Sequence, residues 1–401
     1  MEIEPEIVTA QTRLERLCAS WREAGLFAFD TEFIRDDTYD AALCLVQVAD
    51  GAGVTLIDPA GDVDVNPFWE LVADDRVVKV LHAGKEDLEL CVRFTGRPPR
   101  SVFDVQVAAG FVGLGYPLSL SRLVATVLGA RLAKAQTLTD WSRRPLTSAQ
   151  IAYAVDDVAY LPRLHASLCE RLDRTGHGAW AAEEFRRYES VEHYKIPSEE
   201  RVYKLKGSRR LDALGLATLA RLIDWRDRWA RERNRPTRAL IRDDMLVEIA
   251  RRRPRQAVDL QVLRGFPQAR NPKVVQGLLA CLEEARQAPR EEWPEPFKNV
   301  EDTPMTKVAL DVLSAFTRAA CNEDGIDKEL VGATQRLREL MEYLRLGGER
   351  PVLLSGWRAE FIGRRLVDLL QGRCELHLSG WPDALRLDVV AHDSQPPGDA
   401  Q

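Results

Sequence analysis

The pattern of hydrophobic and polar positions divides the chain into two regimes. Up to about residue 175, short apolar runs alternate with amphipathic segments; beyond 211 the apolar positions recur at helical spacing and strand signals fade. Residues 25–33 (GLFAFDTEF), 42–49 (ALCLVQVA) and 54–58 (VTLID) read as a three-strand meander separated by Asp/Gly-rich turns. A short helix over 68–74, a strand over 77–81 and helices over 85–93, 105–112 and 119–128 are expected next. An apolar period near 3.6 across 147–172 predicts one long helix, with Thr147 as N-cap and Gln150 completing a capping box. Strands followed by helices indicate an α/β domain over residues 1–175.

Residues 176–210 are polar and mixed and read as a connecting region containing some helix. Helices are expected over 213–233, 239–251, 258–262 and 271–286. The proline-rich stretch 289–304 (PREEWPEPFKNVEDTP) reads as a linker, a second helical set covers about 305–375, and the tail from 387 is expected to be frayed. The two helical sets read as a weak internal repeat, although any two helical bundles align about this loosely. Each carries a glycine before an aromatic, in LRGF at 263–266 and LSGW at 354–357, and these pairs are expected to be helix-packing corners.

Composition narrows the class. A chain of 401 residues with 45% hydrophobic and 29% charged positions holds enough core for two or three domains, which excludes a wholly disordered chain, collagen and a coiled-coil rod. Residues 1–24 scatter acids among apolar positions, so a signal peptide is not expected, and no run approaches the ~20 apolar residues of a membrane span. The seven cysteines, at 18, 44, 91, 169, 281, 321 and 374, form no CxxC pair, and the histidines do not cluster with them. Reduced thiols, a cytoplasmic location and no structural zinc are expected. The net charge of -6 argues against a nucleic-acid partner only as an average. Residues 195–290 hold 23 Lys/Arg against 12 Asp/Glu, and the remainder holds 33 against 50. The basic stretch, with RDRWARERNRPTR at 226–238 and RRRPR at 251–255, has the electrostatic footprint of an RNA-binding surface, although Arg-rich helices also occur as solvated faces.

The acidic remainder carries the candidate chemistry. Asp30 and Glu32 end the first long strand, and alternation puts both on one face while Phe29, Thr31 and Phe33 take the other. Two carboxylates on one side of a strand end suit hard divalent cations; an ordinary charged strand terminus is the plainer reading. Tyr153 and Asp157 lie four apart and share a helix face, whereas Asp156 points about 100° away. Asp87, in HAGKEDLEL, lies near a helix start, where it could simply compensate the helix dipole. Together, Asp30, Glu32, Asp87 and Asp157 suggest four carboxylates around two divalent metal ions with the Tyr153 phenol beside them. Such a site fits phosphodiester hydrolysis, and Tyr153 would orient the attacking water or help to deprotonate it, orientation being favoured because a phenol acts as base only if its pKa falls well below about 10.

At these residues the chain resembles bacterial ribonuclease D, in the tyrosine-containing branch of the DEDD superfamily of 3′-to-5′ exonucleases. FDTEF at 29–33 carries the first motif, HAGKEDLEL at 82–90 the second and YAVDDVAYL at 153–161 the third, with DWSRRPLT at 140–147 before it. The resemblance is strong over 20–175. It implies an α/β ribonuclease H-like exonuclease domain over 1–175 and a connecting region over 176–210. Two small all-α HRDC domains follow, over 211–290 and, more divergent, 302–376, with a linker at 291–301 and a tail at 377–401. It also implies two magnesium ions, with manganese as a substitute, and release of 5′-nucleoside monophosphates from RNA 3′ ends. The expected partners are transfer RNA precursors with a single-stranded 3′ end, and a monomer is the expected state. Thr31, Glu32 and Phe33 become candidates for holding the terminal nucleotides, with core packing the rival role for Phe33. His82, Lys85, Trp141, Arg143 and Arg144 are further candidate substrate contacts. For His82 a structural hydrogen bond competes with that role, for Lys85 plain exposure, and for Trp141 packing. A DNA 3′-5′ exonuclease of the same chemistry and a non-catalytic RNA-binding protein stay open as alternatives. A helicase is disfavoured, because no GxxxxGK[ST] phosphate loop occurs.

Overall fold

The computed structural model describes residues 4–34, 38–61, 63–132, 139–263, 265–297, 303–383 and 385–391. Its N-terminal half is built on a six-stranded mixed sheet of β1 (Glu6–Val8), β2 (Leu26–Ile34), β3 (Ala42–Ala49), β4 (Val54–Ile57), β5 (Val78–Leu81) and β6 (Val102–Asp104), in the order β1-β4-β3-β2-β5-β6. The meander β2-β3-β4 is antiparallel as its turns require, while β5, β6 and β1 add in parallel at the flanks.

Alternation along β2 gives the sheet two faces of different composition. Phe27 and Phe29 enter a core shared with Trp21 and Leu14 of α1 (Gln11–Ala24), Phe68 and Trp69 of α2 (Asn66–Val72) and Leu88 of α3 (Lys85–Thr95). Ala28 faces the opposite side, which is covered by α4 (Val105–Gly110), α5 (Leu120–Leu128), α6 (Ser148–Ala159), α7 (Leu161–Thr175) and α8 (Gly178–Arg186). Both faces are therefore dry over most of their length, and a polar side chain on either must be satisfied locally.

The segment 147–172 is not one helix. The capping box at Thr147 and Gln150 forms, with the Gln150 amide donating to Thr147 Oγ1 at 3.2 Å and the Thr147 amide to Gln150 Oε1 at 2.9 Å. The helix then breaks at Tyr160 and restarts, because Pro162 has no N–H to continue the ladder and fits only in a first turn. The tail also differs from expectation. Strands β7 (Cys374–Ser379) and β8 (Arg386–Ala391) form an antiparallel hairpin, and alternation points Leu376, Leu387 and Val389 back onto the larger core. The expected tail residues 392–401 lie outside the described residues.

The two helical sets are packed differently. Helices Ala213–Glu232, Asp243–Arg252 and Pro272–Gln287 enclose a core of their own, with Leu216, Ile223, Leu246, Phe266 and Leu278 inside. The second set shares the core of the N-terminal half: Phe316, Leu330, Trp357 and Phe361 pack with Phe111 and Leu123. Gly110 permits the approach, since a Cβ there would stand 2.5 Å from Leu330 Cδ1. The Asp327 amide donates to the Gly110 carbonyl at 2.8 Å, and the Asp327 carboxylate accepts from the Tyr116 amide at 3.0 Å. Both glycine–aromatic pairs are packing corners as expected. Gly265 and Gly356 adopt positive φ (76° and 51°), and Phe266 and Trp357 are buried.

A buried ion pair pins the second set. Arg358 donates to Glu184 of α8 at 2.5 Å and to the Leu330 carbonyl at 2.6 Å, and Trp357 Nε1 donates to the same Glu184 at 2.8 Å. Burial pushes the Glu184 carboxyl up, but Arg358 and Trp357 outweigh it and hold the group down at about 2. Above the unfolded value near 4.5 the group is ionised in both states and its contribution is fully present. It is lost as pH falls from 4.5 through about 2, because folding must then keep an extra proton off. Acid titration of wild type and Glu184→Gln by circular dichroism should show about 3 kcal/mol of wild-type stability disappearing over that window and no matching loss in the variant.

Candidate active site

The site lies where β2 runs out from under α6. Asp30 and Glu32, two apart on one face of the strand, meet Asp157 from α6, and one carboxylate oxygen from each lies within 4.8 Å of the others. Tyr153, one turn before Asp157, hydrogen-bonds to its carboxylate. Asp87, in the first turn of α3, is not within that three-residue group but stands close enough to perturb it. A register shift between Glu32 and Phe33 interrupts the pairing of β2 with β3 beside the cluster, and the ladder resumes at Phe33 opposite Leu43.

Burial and mutual repulsion raise the proton affinity of these groups. Asp30 is raised well above the carboxylate range by burial, then by Asp87, Asp157 and Glu32. Burial, Asp157 and Asp87 push Glu32 up to about 8. Asp157 rises to about 7 through burial, opposed by the Tyr153 bond and helped by Asp156 and Asp87. Asp87 rises to about 6 through burial, opposed by a bond from Thr31. Tyr153 is also raised, by burial and by the charges of Asp157, Glu32 and Asp30, so its phenol keeps its proton and donates. One oxygen, Asp157 Oδ2, is buried with no hydrogen-bond partner among the described residues. A cluster of carboxylates that repel one another, with a buried acceptor left unmade, has the donor chemistry of a hard-cation site.

The other sequence candidates are distributed more widely. Thr31 is buried on the opposite face from Asp30 and donates its hydroxyl to Asp87, so it fixes that carboxylate. Phe33 packs with Leu43 against the α1–α3 core. His82 Nε2 is 2.8 Å from the Leu118 carbonyl, and Lys85 is exposed at the start of α3. Trp141 is buried with its ring 6.0 Å from that of Tyr153, and supports it from behind. Arg144 grips Asp58 with two nitrogens and the Cys44 carbonyl with one, while Arg143 is exposed and pairs with Asp140.

Two supports were not apparent in the sequence. Asp104, buried at the end of β6, accepts from the Ala83 amide at 3.1 Å, from the Gln106 amide at 2.9 Å and from the Tyr188 hydroxyl at 2.9 Å. It thereby holds Ala83 in a left-handed conformation (φ 56°) in the turn that leads to Asp87. Gln47 of β3 pairs in register with Asp30 and is fully buried. No spacing signal marks either residue, because each depends on a cross-strand or loop contact.

The first helical set approaches the same end of the sheet. Tyr39, beyond β2, donates its amide to Asn234 Oδ1 at 3.1 Å, and Arg231 lies 5.0 Å over the Tyr39 ring. The exposed arginines 228, 231, 233 and 235 are carried on or just beyond Ala213–Glu232. Among the described residues, no helix is long and apolar enough to cross a membrane.

Comparison with known proteins agrees with this geometry. A family model described as 3'-5' exonuclease matches residues 5–173, and the HRDC domain model matches 215–282. The chain is 34% identical over 380 residues to a ribonuclease D of Sphingobium indicum, covering 93% of this chain and 96% of that one. It is 36% identical over 378 residues to a ribonuclease D of Pseudomonas paraeruginosa, covering 92% and 98%. It superposes on the crystal structure of Escherichia coli RNase D, an exoribonuclease involved in structured RNA processing, with a TM-score of 0.79 and 31% identity over 92% of this chain and 99% of that one. The family uses divalent metal ions, and its nuclease and HRDC modules point to RNA as the partner. The chain belongs to the ribonuclease D family and is a 3′-to-5′ exoribonuclease.

Proposed function

We propose that Asp30, Glu32, Asp87 and Asp157 hold two divalent ions, magnesium first and manganese as a substitute, and that the enzyme trims the 3′ ends of transfer RNA precursors. The observation that carries this reading is the meeting of Asp30, Glu32 and Asp157 with Asp87 at their side. Such ions, when bound, lower the pKa of water and balance charge on the attacked phosphate. Thr31 keeps the Asp87 carboxylate aimed at the cluster, and Trp141 keeps the Tyr153 ring in place. The Tyr153 phenol, which retains its proton, orients the attacking water by a hydrogen bond. Water attack forms one P–O bond and breaks the bond from phosphorus to the 3′ oxygen. The shortened strand leaves with a 3′ hydroxyl, and the product is a nucleoside 5′-monophosphate.

The basic helical set supplies phosphate contacts that seat a structured RNA while its single-stranded 3′ end enters the site. A monomer in the cytoplasm suffices for this activity. Matched RNA and DNA strands with labelled 3′ ends test the substrate class: RNA should yield labelled monophosphates, whereas equal turnover of DNA would favour the DNA exonuclease. Tyr153→Phe should lower kcat by about 10–100-fold with little change in KM, since it removes a positioning bond from a folded site. A kcat within twofold of wild type would remove the phenol from the mechanism.

A further inference from the structure

Gln47 is 0% exposed, and among the described residues neither its Nε2 nor its Oε1 has a hydrogen-bond partner. Burying a primary amide with both groups unmade is costly, and native proteins rarely do so without a function for it. The register shows what lies around this amide. Gln47 pairs with Asp30 on β2 and with Leu56 on β4, so all three share a face. Its remaining same-face neighbours in the ladders are Leu45 and Ala49 along β3, Ala28 and Glu32 diagonally on β2, and Val54 on β4. Asp30 and Glu32 are the polar members of that set. Helix α6 packs over β3 and brings Asp157, whose Oδ2 is likewise buried without a partner among the described residues. Two orphaned polar groups thus occupy one face beside one acidic cluster.

We propose that Gln47 is a positioning residue for the carboxylate cluster, its amide donating to a ligating carboxylate once the site holds divalent ions. An amide suits this position because it adds donors without adding another negative charge to a crowded site. Carboxylates that ligate metals are themselves commonly hydrogen-bonded from behind, and loss of such a partner costs about 10–100-fold in metal affinity. The two unmade bonds of the Gln47 amide are then the cost of having the donor already in place. This inference rests on the metal-binding reading above.

Manganese ion alone, titrated by calorimetry into wild type, Asp30→Asn and Gln47→Leu, separates the two. Wild type should bind, Asp30→Asn should not, and Gln47→Leu should bind about 10–100-fold more weakly. Gln47→Leu should also melt higher than wild type in chelator, since it deletes an amide that has no partner there. Full manganese affinity in Gln47→Leu overturns the proposal while leaving the metal site standing. Absence of binding by wild type overturns both. A lower melting temperature of Gln47→Leu in chelator would mean that the amide already supports the metal-free fold, and overturns the positioning role. A measurement on wild type guards against a variant that does not fold. With glutamine side chains labelled by 15N, the Gln47 amide protons should exchange more slowly with solvent on adding magnesium, and unchanged exchange contradicts the proposal.

Discussion

Asp30→Asn is expected to lower turnover by about 10³-fold or more while leaving the fold and RNA binding in place. A metal clamp supplies several kcal/mol of charge stabilisation, and each 1.36 kcal/mol is tenfold in rate, so about 4 kcal/mol lost at this position gives that factor. Asp30 sits at the centre of the electrostatic contest: Asp87, Asp157 and Glu32 all raise it. Asparagine carries no charge for burial and the neighbouring carboxylates to oppose at any pH, so the variant should melt at or above the wild-type temperature in chelator. Loss of activity with equal or higher metal-free stability distinguishes a ligand from a structural acid. Single-turnover rates and thermal melts of the same preparations check both halves; retained turnover, or a marked fall in metal-free melting temperature, would remove Asp30 from the ligand set.

The largest effect on stability should come from Arg358→Ala. Glu184 is 8% exposed and takes the Arg358 guanidinium, the Trp357 indole and, at 2.8 Å, the half-exposed Arg187, so deletion of Arg358 removes its one buried cationic partner. Breaking a buried pair from one side costs about 3–5 kcal/mol, whereas replacing both partners with apolar residues of similar volume is often neutral. Arg358→Ala should therefore lower the urea midpoint strongly, and Arg358→Met combined with Glu184→Leu should recover most of the loss. The effect should reach the nuclease half, because Trp357 packs on Phe111 at 4.9 Å within the common core. If Arg358→Ala changes stability by less than about 1 kcal/mol, the C-terminal helices are not held by this pair.

The difference between legible and illegible features follows from the range of the interactions. Asp30 with Glu32, and Tyr153 with Asp157, were legible because strand alternation and the helical turn place residues two and four apart on one face. The capping box at Thr147 was legible for the same reason. Helix α1 carried a readable stripe, Leu14, Leu17, Cys18 and Trp21, but its polar surroundings obscured it, and the three-residue strands β1 and β6 are too short to show a period. Pro162 marked the break in the long helix, and its place in a first turn rather than an interior depended on the chain turning at Tyr160. The bond from Thr31 to Asp87 spans 56 residues and crosses from strand to helix, so no local pattern contains it. Amphipathic helices over 305–375 showed that one face is buried but not against what; only the fold reveals that Leu330 and Trp357 close the core of the nuclease. Trp141 and Arg144 were ambiguous for a related reason, since an indole or a guanidinium serves packing and ion pairing as readily as RNA contact.

The most direct test of the central claim is a time course on a 3′-extended transfer RNA in magnesium, in manganese and in excess chelator. The account predicts stepwise shortening from the 3′ end with release of 5′-monophosphates in either metal, and none in chelator. Chelator-resistant cleavage, or internal cuts in place of terminal trimming, would contradict it.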